Sequence, residues 1–299
     1  MDNRSDVRDF LTSRRARLTP EQVDLPQFGG ARRVAGLRRS EVAHLAEVSV
    51  EYYTQMERGN LRGVSGSILD AVARALLLDA AERDHLFDLA RAANGGRPAR
   101  GRSPSPRRVR PGIQRILDGQ LFPAWVSNNR GDILAANQLG RALCAPLFED
   151  ATRPANGARY RFLSPGARDY YRDWERTGRD VVALLRAAVG RDPFDKELTD
   201  LIGELSTRSE EFRTLWAAHD VRAHRTGVKR LHHPVVGDVD LVYEGLELPA
   251  DAGLMLFVFS AEPGSSSEQA LDLLASWSIS STAQARLAEP SSVSDRSRS

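Results

Sequence analysis

The sequence predicts an all-α domain followed by an α+β domain built on an antiparallel sheet. Three observations lead there. The run from Leu37 to Gly59 carries the pattern of two short helices about a tight turn. Residues 94–108 are rich in Gly, Pro, Ser and Arg and show no apolar period, so they read as a flexible linker between residues 1–93 and 109–277. Residues 109–277 then set strand patterns at both ends with helical patterns between, which suits a five-stranded sheet with one helical face.

The first helix of the pair runs from about Arg39 to Ala46. Val42, Ala43 and Ala46 share one face, and the two alanines are small where two helices approach closely. Val48 is the apolar residue of the turn. Ser49 is a suitable N-cap for the second helix, because its hydroxyl can accept from a free backbone N–H. Tyr53 and Met56, three apart, face inward. Val50, Glu51, Tyr52 and Gln55 are left facing outward on the first turns, and Gly59 ends the helix.

That geometry places one helix in the major groove of DNA. Gln55 can pair with adenine through two hydrogen bonds, and Glu51 can accept from the cytosine amino group. Val50 and the Tyr52 ring can pack on a thymine methyl. Ser49 belongs to the same surface. Arg39, Arg58 and Arg62 flank the second helix and suit phosphate contacts, which position without reading sequence. One short helix reaches few bases, so a homodimer on two half-sites of double-stranded DNA is expected.

Charge divides along the chain. Residues 1–110 hold 20 Arg against 14 acidic residues, whereas residues 111–299 hold 22 cations against 26 acids. A basic half beside an acidic half suits a nucleic-acid reader joined to a domain with another task. The five arginines of the linker fit either a soluble tether or contact with phosphates. Nearly all cations are Arg, with Lys only at Lys196 and Lys229. The one cysteine, Cys144, excludes an intrachain disulfide and reads as a small buried apolar residue. No apolar run is long enough to span a bilayer, and the charged N-terminus lacks a signal-peptide pattern. A cytoplasmic location without membrane contact is the expectation.

The second domain opens with a short helix, Ile113–Leu117. Strands follow at Ala124–Ser127 and Ile133–Ala136, and the latter leads into the helix holding Cys144. Helical patterns cover Val181–Val189, Lys196–Ser206 and Glu210–Ala218. Three strands, Val228–His232, Val239–Glu247 and Leu254–Ser260, are separated by the turn signals at Gly237-Asp238 and Pro249-Ala250-Asp251. A last helix runs from Ser267 to about Trp277, and residues 278–299 are expected to be a disordered tail.

An apolar pocket between sheet and helices is expected in this arrangement. Trp174, Phe212, Trp216 and Phe257 either line it or are plain core. His219-Asp220 either forms a buried polar pair at a helix end or, with Arg222, holds a ligand carboxylate. His232-His233 is not a metal site on this reading, because adjacent strand residues point to opposite faces. No nucleophile–base set, phosphate loop or cofactor motif emerges, so neither an enzyme nor a cofactor is expected. Gly63-Val64-Ser65-Gly66-Ser67 lacks the spacing of a nucleophile elbow, and its serines read as helix caps. A protein-docking role for the second domain stands as the alternative to a sensor, since its acidic excess fits both.

Residues 7–93 resemble the helix-turn-helix domain of lambda-repressor-like, XRE-type regulators. The resemblance extends to Ser67–Leu76 and Asp79–Ala90 as that family's fourth and fifth helices, and so implies a five-helix domain. Two residues depart from the pattern. Glu47 stands at the usual turn Gly, and Arg38 at the usual N-cap. Residues from about Val109 to Trp277 resemble the ligand-binding domain of MmyB-like regulators. The phrases are Tyr170–Glu175, Arg208–Val221, His233–Gly237 and Ala261–Ser265. This second resemblance implies a PAS-like domain whose ligand is a fatty acid or similar amphiphile.

Overall fold

A computed structural model describes residues 3–23, 25, 36–94, 108–149, 154–217 and 226–288. The N-terminal domain holds α1 (Asn3–Arg17), a 3-10 turn (Pro20–Val23), α2 (Arg39–Leu45), α3 (Val50–Glu57), α4 (Gly66–Ala75) and α5 (Ala80–Ala93). These five α-helices agree with the expected class. Three of the helix starts are fixed by side-chain caps. The Ser49 hydroxyl accepts from Tyr52 N–H at 3.0 Å, Ser65 accepts from Ile68 N–H, and Asp79 and Glu82 cap each other's backbone N–H. Arg38 offers no capping oxygen. Instead the Glu41 carboxylate reaches back to the Arg38 N–H at 2.6 Å.

The core of this domain gathers one apolar stripe from each helix: Val7, Phe10 and Leu11, then Val42, Ala43 and Ala46, then Tyr53 and Met56, then Leu69 and Val72, then Leu86 and Leu89. Ala43 and Ala46 are fully buried, as their small size between α2 and neighbouring helices requires.

The second domain continues with α6 (Pro111–Asp118), β1 (Ala124–Asn128), β2 (Ile133–Ala136), α7 (Gln138–Leu143), a 3-10 turn (Ala145–Phe148), α8 (Gly157–Leu163), α9 (Ala167–Tyr170), α10 (Trp174–Arg191), α11 (Lys196–Arg208) and α12 (Glu210–Ala217). β3 (Thr226–His233), β4 (Gly237–Glu247), β5 (Leu254–Ser260) and α13 (Ser266–Ala288) complete it. The sheet order is β2-β1-β5-β4-β3 and every neighbouring pair is antiparallel. The N- and C-terminal strands therefore meet at β1–β5, where Trp125 lies opposite Phe257.

Register decides what each face carries. The period of two puts Trp125, Met255, Phe257, Phe259, Tyr243, Leu241, Lys229 and Leu231 on one face, toward α7, α9 and α13. On the opposite face Ala124, Val126, Leu254 and Leu256 pack with Leu117 of α6. The sequence reading of a single helical face thus needs amending: α6 covers the β1–β5 part of the back. A second cluster of Val182, Leu185, Leu198, Leu201, Leu205 and Phe212 joins α10, α11 and α12 to one another rather than to the sheet.

Two helix ends differ from expectation. α13 does not stop near Trp277 but continues to Ala288, so residues 278–288 are helical where a disordered tail was expected. α10 begins at Trp174, well before Val181. The linker at 95–107 and the tail at 289–299 lie outside the described residues. Among the described residues, no helix is long and apolar enough to cross a membrane.

Candidate nucleic-acid interface and ligand cavity

The turn before α3 has a specific backbone form. Val48 N–H bonds to Ala43 C=O at 3.0 Å and Glu47 N–H to His44 C=O at 3.1 Å, which is a Schellman stop. The stop needs a left-handed residue, and Glu47 supplies it at φ 55°. That is the strain expected from a non-glycine at the turn position. The end of α3 repeats the device with Gly59 at φ 95°. There glycine is doubly required, since a Cβ would run into the Arg4 backbone of α1.

With both ends fixed, α3 presents its faces as the sequence predicts. Tyr53 and Met56 are buried, whereas Val50, Glu51, Tyr52 and Gln55 are exposed. Val50 and Tyr52 are 41% and 37% exposed. Arg58 is exposed at the α3 C-cap. Arg62 is exposed too, but its Nε donates to Ala93 C=O at 3.3 Å, so it also ties the loop to α5.

Arg39 has a role that the sequence did not reveal. Its Nε donates to Glu57 Oε1 at 2.9 Å, and Arg15 donates to both Glu57 oxygens at 2.7 and 2.9 Å. Glu57 is 1% exposed while Arg39 is about half exposed. Burial alone would raise the Glu57 carboxyl, but the hydrogen bonds and charges of Arg15 and Arg39 hold it below its ordinary value. The last residue of α3 is thereby locked to α1 and α2. Glu57 was missed because an acid beside Arg58 looks like any solvated charge. The usable signal was its spacing: Glu57 falls one and four residues after Met56 and Tyr53, on the inward side.

The second domain holds an apolar cavity of about 110 Å³ between the inner sheet face and the helices. Its wall includes Trp125, Phe257 and Phe259 from the sheet, Tyr170 and Tyr171 at the end of α9, and Val181 and Leu184 of α10. Trp125 stacks on Phe259 at 4.2 Å between ring centroids, which gives the cavity an aromatic floor. Of the expected ligand residues, Phe257 is on this wall. Trp174, Phe212 and Trp216 are not. Phe212 is fully buried among the helices and stacks on Trp216 at 5.5 Å. Trp174 lies under the Arg161 guanidinium, 3.2 Å from the ring centroid. Helical spacing shows which side of a helix is apolar, but not whether that side meets the sheet or another helix. His219 and Arg222 lie outside the described residues.

Cys144 is buried and lines the cavity, and burial pushes its thiol up to about 12, so it stays protonated. His233 is buried with Nε2 3.0 Å from Ala142 C=O, whereas His232 is exposed beside Asp238 at 2.6 Å. The two rings point apart, as strand alternation predicts. Lys229 was also missed. It is an inward position of β3, between Gly227 and Leu231, and period two alone would have marked it.

The domains touch. α5 packs on α10, and Gly190 approaches the His85 ring so closely that an added Cβ would lie 2.6 Å from Nδ1.

Residues 109–274 match the MmyB-like transcription regulator ligand binding domain, and residues 9–86 match a helix-turn-helix domain. No curated protein is similar enough to count as a match. A capped, exposed helix on a basic domain, followed by a domain with an apolar pocket, agrees with both matches, and the first covers more than half of the chain: the chain belongs to the MmyB-like transcription regulators, with a DNA-binding helix-turn-helix domain ahead of the ligand-binding one.

Proposed function

We propose that this chain regulates transcription, without catalysis, by reading an operator with α3 and sensing a small apolar ligand in the cavity of its second domain. The carrying observation is the outward set Val50, Glu51, Tyr52 and Gln55 on a helix fixed at both ends. In this reading Gln55 and Glu51 read base edges, Val50 and Tyr52 meet thymine methyls, and Ser49, Arg39, Arg58 and Arg62 sit at phosphates. The chain acts as a homodimer on two half-sites. The ligand class that the family resemblance implies, a fatty acid or similar amphiphile, finds support in the aromatic cavity wall.

Footprinting of variants on a series of operator mutants tests the DNA part. Gln55→Ala is expected to relax specificity at one base position by about 1–3 kcal/mol. Arg39→Ala is expected to weaken binding to every sequence and to reduce the salt slope by about 1. Equal loss on all sequences for both variants would remove the role given to Gln55.

A second reading keeps the DNA part and makes the second domain a protein-docking module. Leu273 and Trp277 favour it, since they are exposed at i and i+4 on α13. Solvent extraction of the purified chain followed by mass spectrometry separates the two: a co-purified amphiphile supports the sensor.

A further inference from the structure

The cavity wall is apolar with one cation in it. Lys229 reaches in from β3, opposite Leu241 in the register, with Nζ 5.8 Å from the Tyr171 ring and 5.9 Å from the Tyr243 ring. Among the described residues it forms no salt bridge. Asp180 of α10 acts on it through its charge, but that carboxylate lies 3.8 Å from Arg176. The remaining polar groups of the wall do not replace an anion. Tyr170 donates its hydroxyl to Leu143 C=O at 2.8 Å, and Cys144 is a neutral thiol. Lys229 is half-buried, and taking an ammonium even partly out of water is costly unless an anion meets it, so a lysine in an aromatic cavity favours a negatively charged ligand. Two tyrosine faces give part of that compensation and leave the Nζ hydrogens without an acceptor of full charge.

The volume limits what comes with the charge. A dry cavity of about 150 Å³ holds benzene. The 110 Å³ here, in a pocket partly open to solvent, therefore accommodates a ring or a short branched chain. We propose that the ligand is a carboxylate with a compact, ring-sized apolar tail, and that Lys229 holds its carboxylate while Trp125, Phe257 and Phe259 pack on the tail. This assignment rests on the ligand-binding reading above and narrows it.

Calorimetric titration of the full chain, at neutral pH and fixed salt, compares phenylacetate, its neutral isostere phenylacetamide, and palmitate. Phenylacetate is expected to bind at least about tenfold tighter than phenylacetamide, the effect of one charge-assisted hydrogen bond. Lys229→Met is expected to bring that ratio to about one while keeping phenylacetamide binding, which also shows that the cavity is intact. Should the Met variant fail to fold by circular dichroism, Lys229→Gln carries the same comparison. Equal binding of acid and amide to the wild type, or a preference that survives both substitutions, overturns the role of Lys229. Palmitate binding tighter than phenylacetate overturns the compact tail. Failure of all three to bind overturns the ligand-binding reading itself, a result distinct from the loss of the charge preference alone.

Discussion

Glu57 Oε1 accepts a hydrogen bond from Arg39 Nε at 2.9 Å, and this pair joins the end of the exposed helix α3 to the start of α2. The carboxylate is buried, and Arg15 of α1 grips it from the other side. The angle between the two helices of the motif is therefore held by a charge cluster as well as by Ala43, Ala46 and Tyr53.

Removal of one member of a buried pair leaves the others unpaired. Glu57→Ala should lower the stability of the N-terminal domain by about 3 kcal/mol, read by urea unfolding. The pH dependence has a defined sign. The folded carboxyl titrates below its ordinary value, so its contribution is present above the unfolded pKa and is lost as pH falls through the folded one. Acid unfolding of the wild type should therefore be steeper below about pH 4.5 than that of Glu57→Ala. Superimposable acid limbs would show that Glu57 contributes nothing through its charge.

Glu47 stores strain in the same motif. It occupies the left-handed position of the Schellman stop at φ 55°, where a Cβ crowds the backbone. Glu47→Gly should stabilise the domain by about 1 kcal/mol, since the native conformation is one that glycine adopts without cost. A thermal midpoint that falls would mean that the Glu47 side chain makes a compensating contact.

α10 forms part of the cavity wall through Val181 and Leu184, and Gly190 lies about 9 Å further along the same rigid helix, against His85 of α5. His85 in turn packs edge-on to Phe10 in the core of the DNA-binding domain, with centroids 5.0 Å apart. Ligand in the cavity and operator on α3 can thus be linked by one helix, provided that the two domains stay in register. Gly190→Val overfills this contact at a cost of about 1–3 kcal/mol. The expected result is a DNA-binding domain that retains its operator affinity but no longer changes it when ligand is added. Unaltered ligand response in gel-shift titrations would exclude this contact as the route.

The helix-turn-helix was legible because each of its parts has a local cause: small residues where helices cross, Ser49 as cap, Gly59 as stop. The sheet was legible for the same reason, through alternation and turn residues. The pairing of Arg39 with Glu57 was not, because the two are eighteen positions apart in ordinary charged sequence and only the fold brings them together. Which of the α10 and α12 aromatics face the cavity was not legible for a related reason. Phe212 and Trp216 satisfy an apolar face, but that face belongs to a helical cluster where Arg186 covers Trp216, whereas Trp174 packs against the sheet cluster beneath Arg161. Lys229, by contrast, was within reach of sequence reasoning, since an inward lysine breaks the alternation of an otherwise half-buried strand.

That lysine should leave its mark on stability as well as on binding. The groups facing it are the phenols of Tyr171 and Tyr243, the thiol of Cys144, and the Asp180–Arg176 pair on α10. Burial raises both phenols and the thiol, so none of the three ionises near neutrality. Burial also lowers the Lys229 ammonium, and Asp180 offsets this only in part. A cation whose folded pKa is depressed weakens folding most below that pKa, where it is charged in both states. The penalty shrinks as pH rises through the folded value and is gone above the ordinary lysine value of about 10.5. Without ligand, Lys229→Met should therefore unfold at higher temperature than the wild type at neutral pH, and the two should converge as pH rises toward that value. Saturating phenylacetate should stabilise the wild type by more than the variant, which keeps only the packing of the ring. A Met variant less stable than the wild type at neutral pH would mean that the ammonium is already compensated, and that the cavity does not hold an open place for an anion.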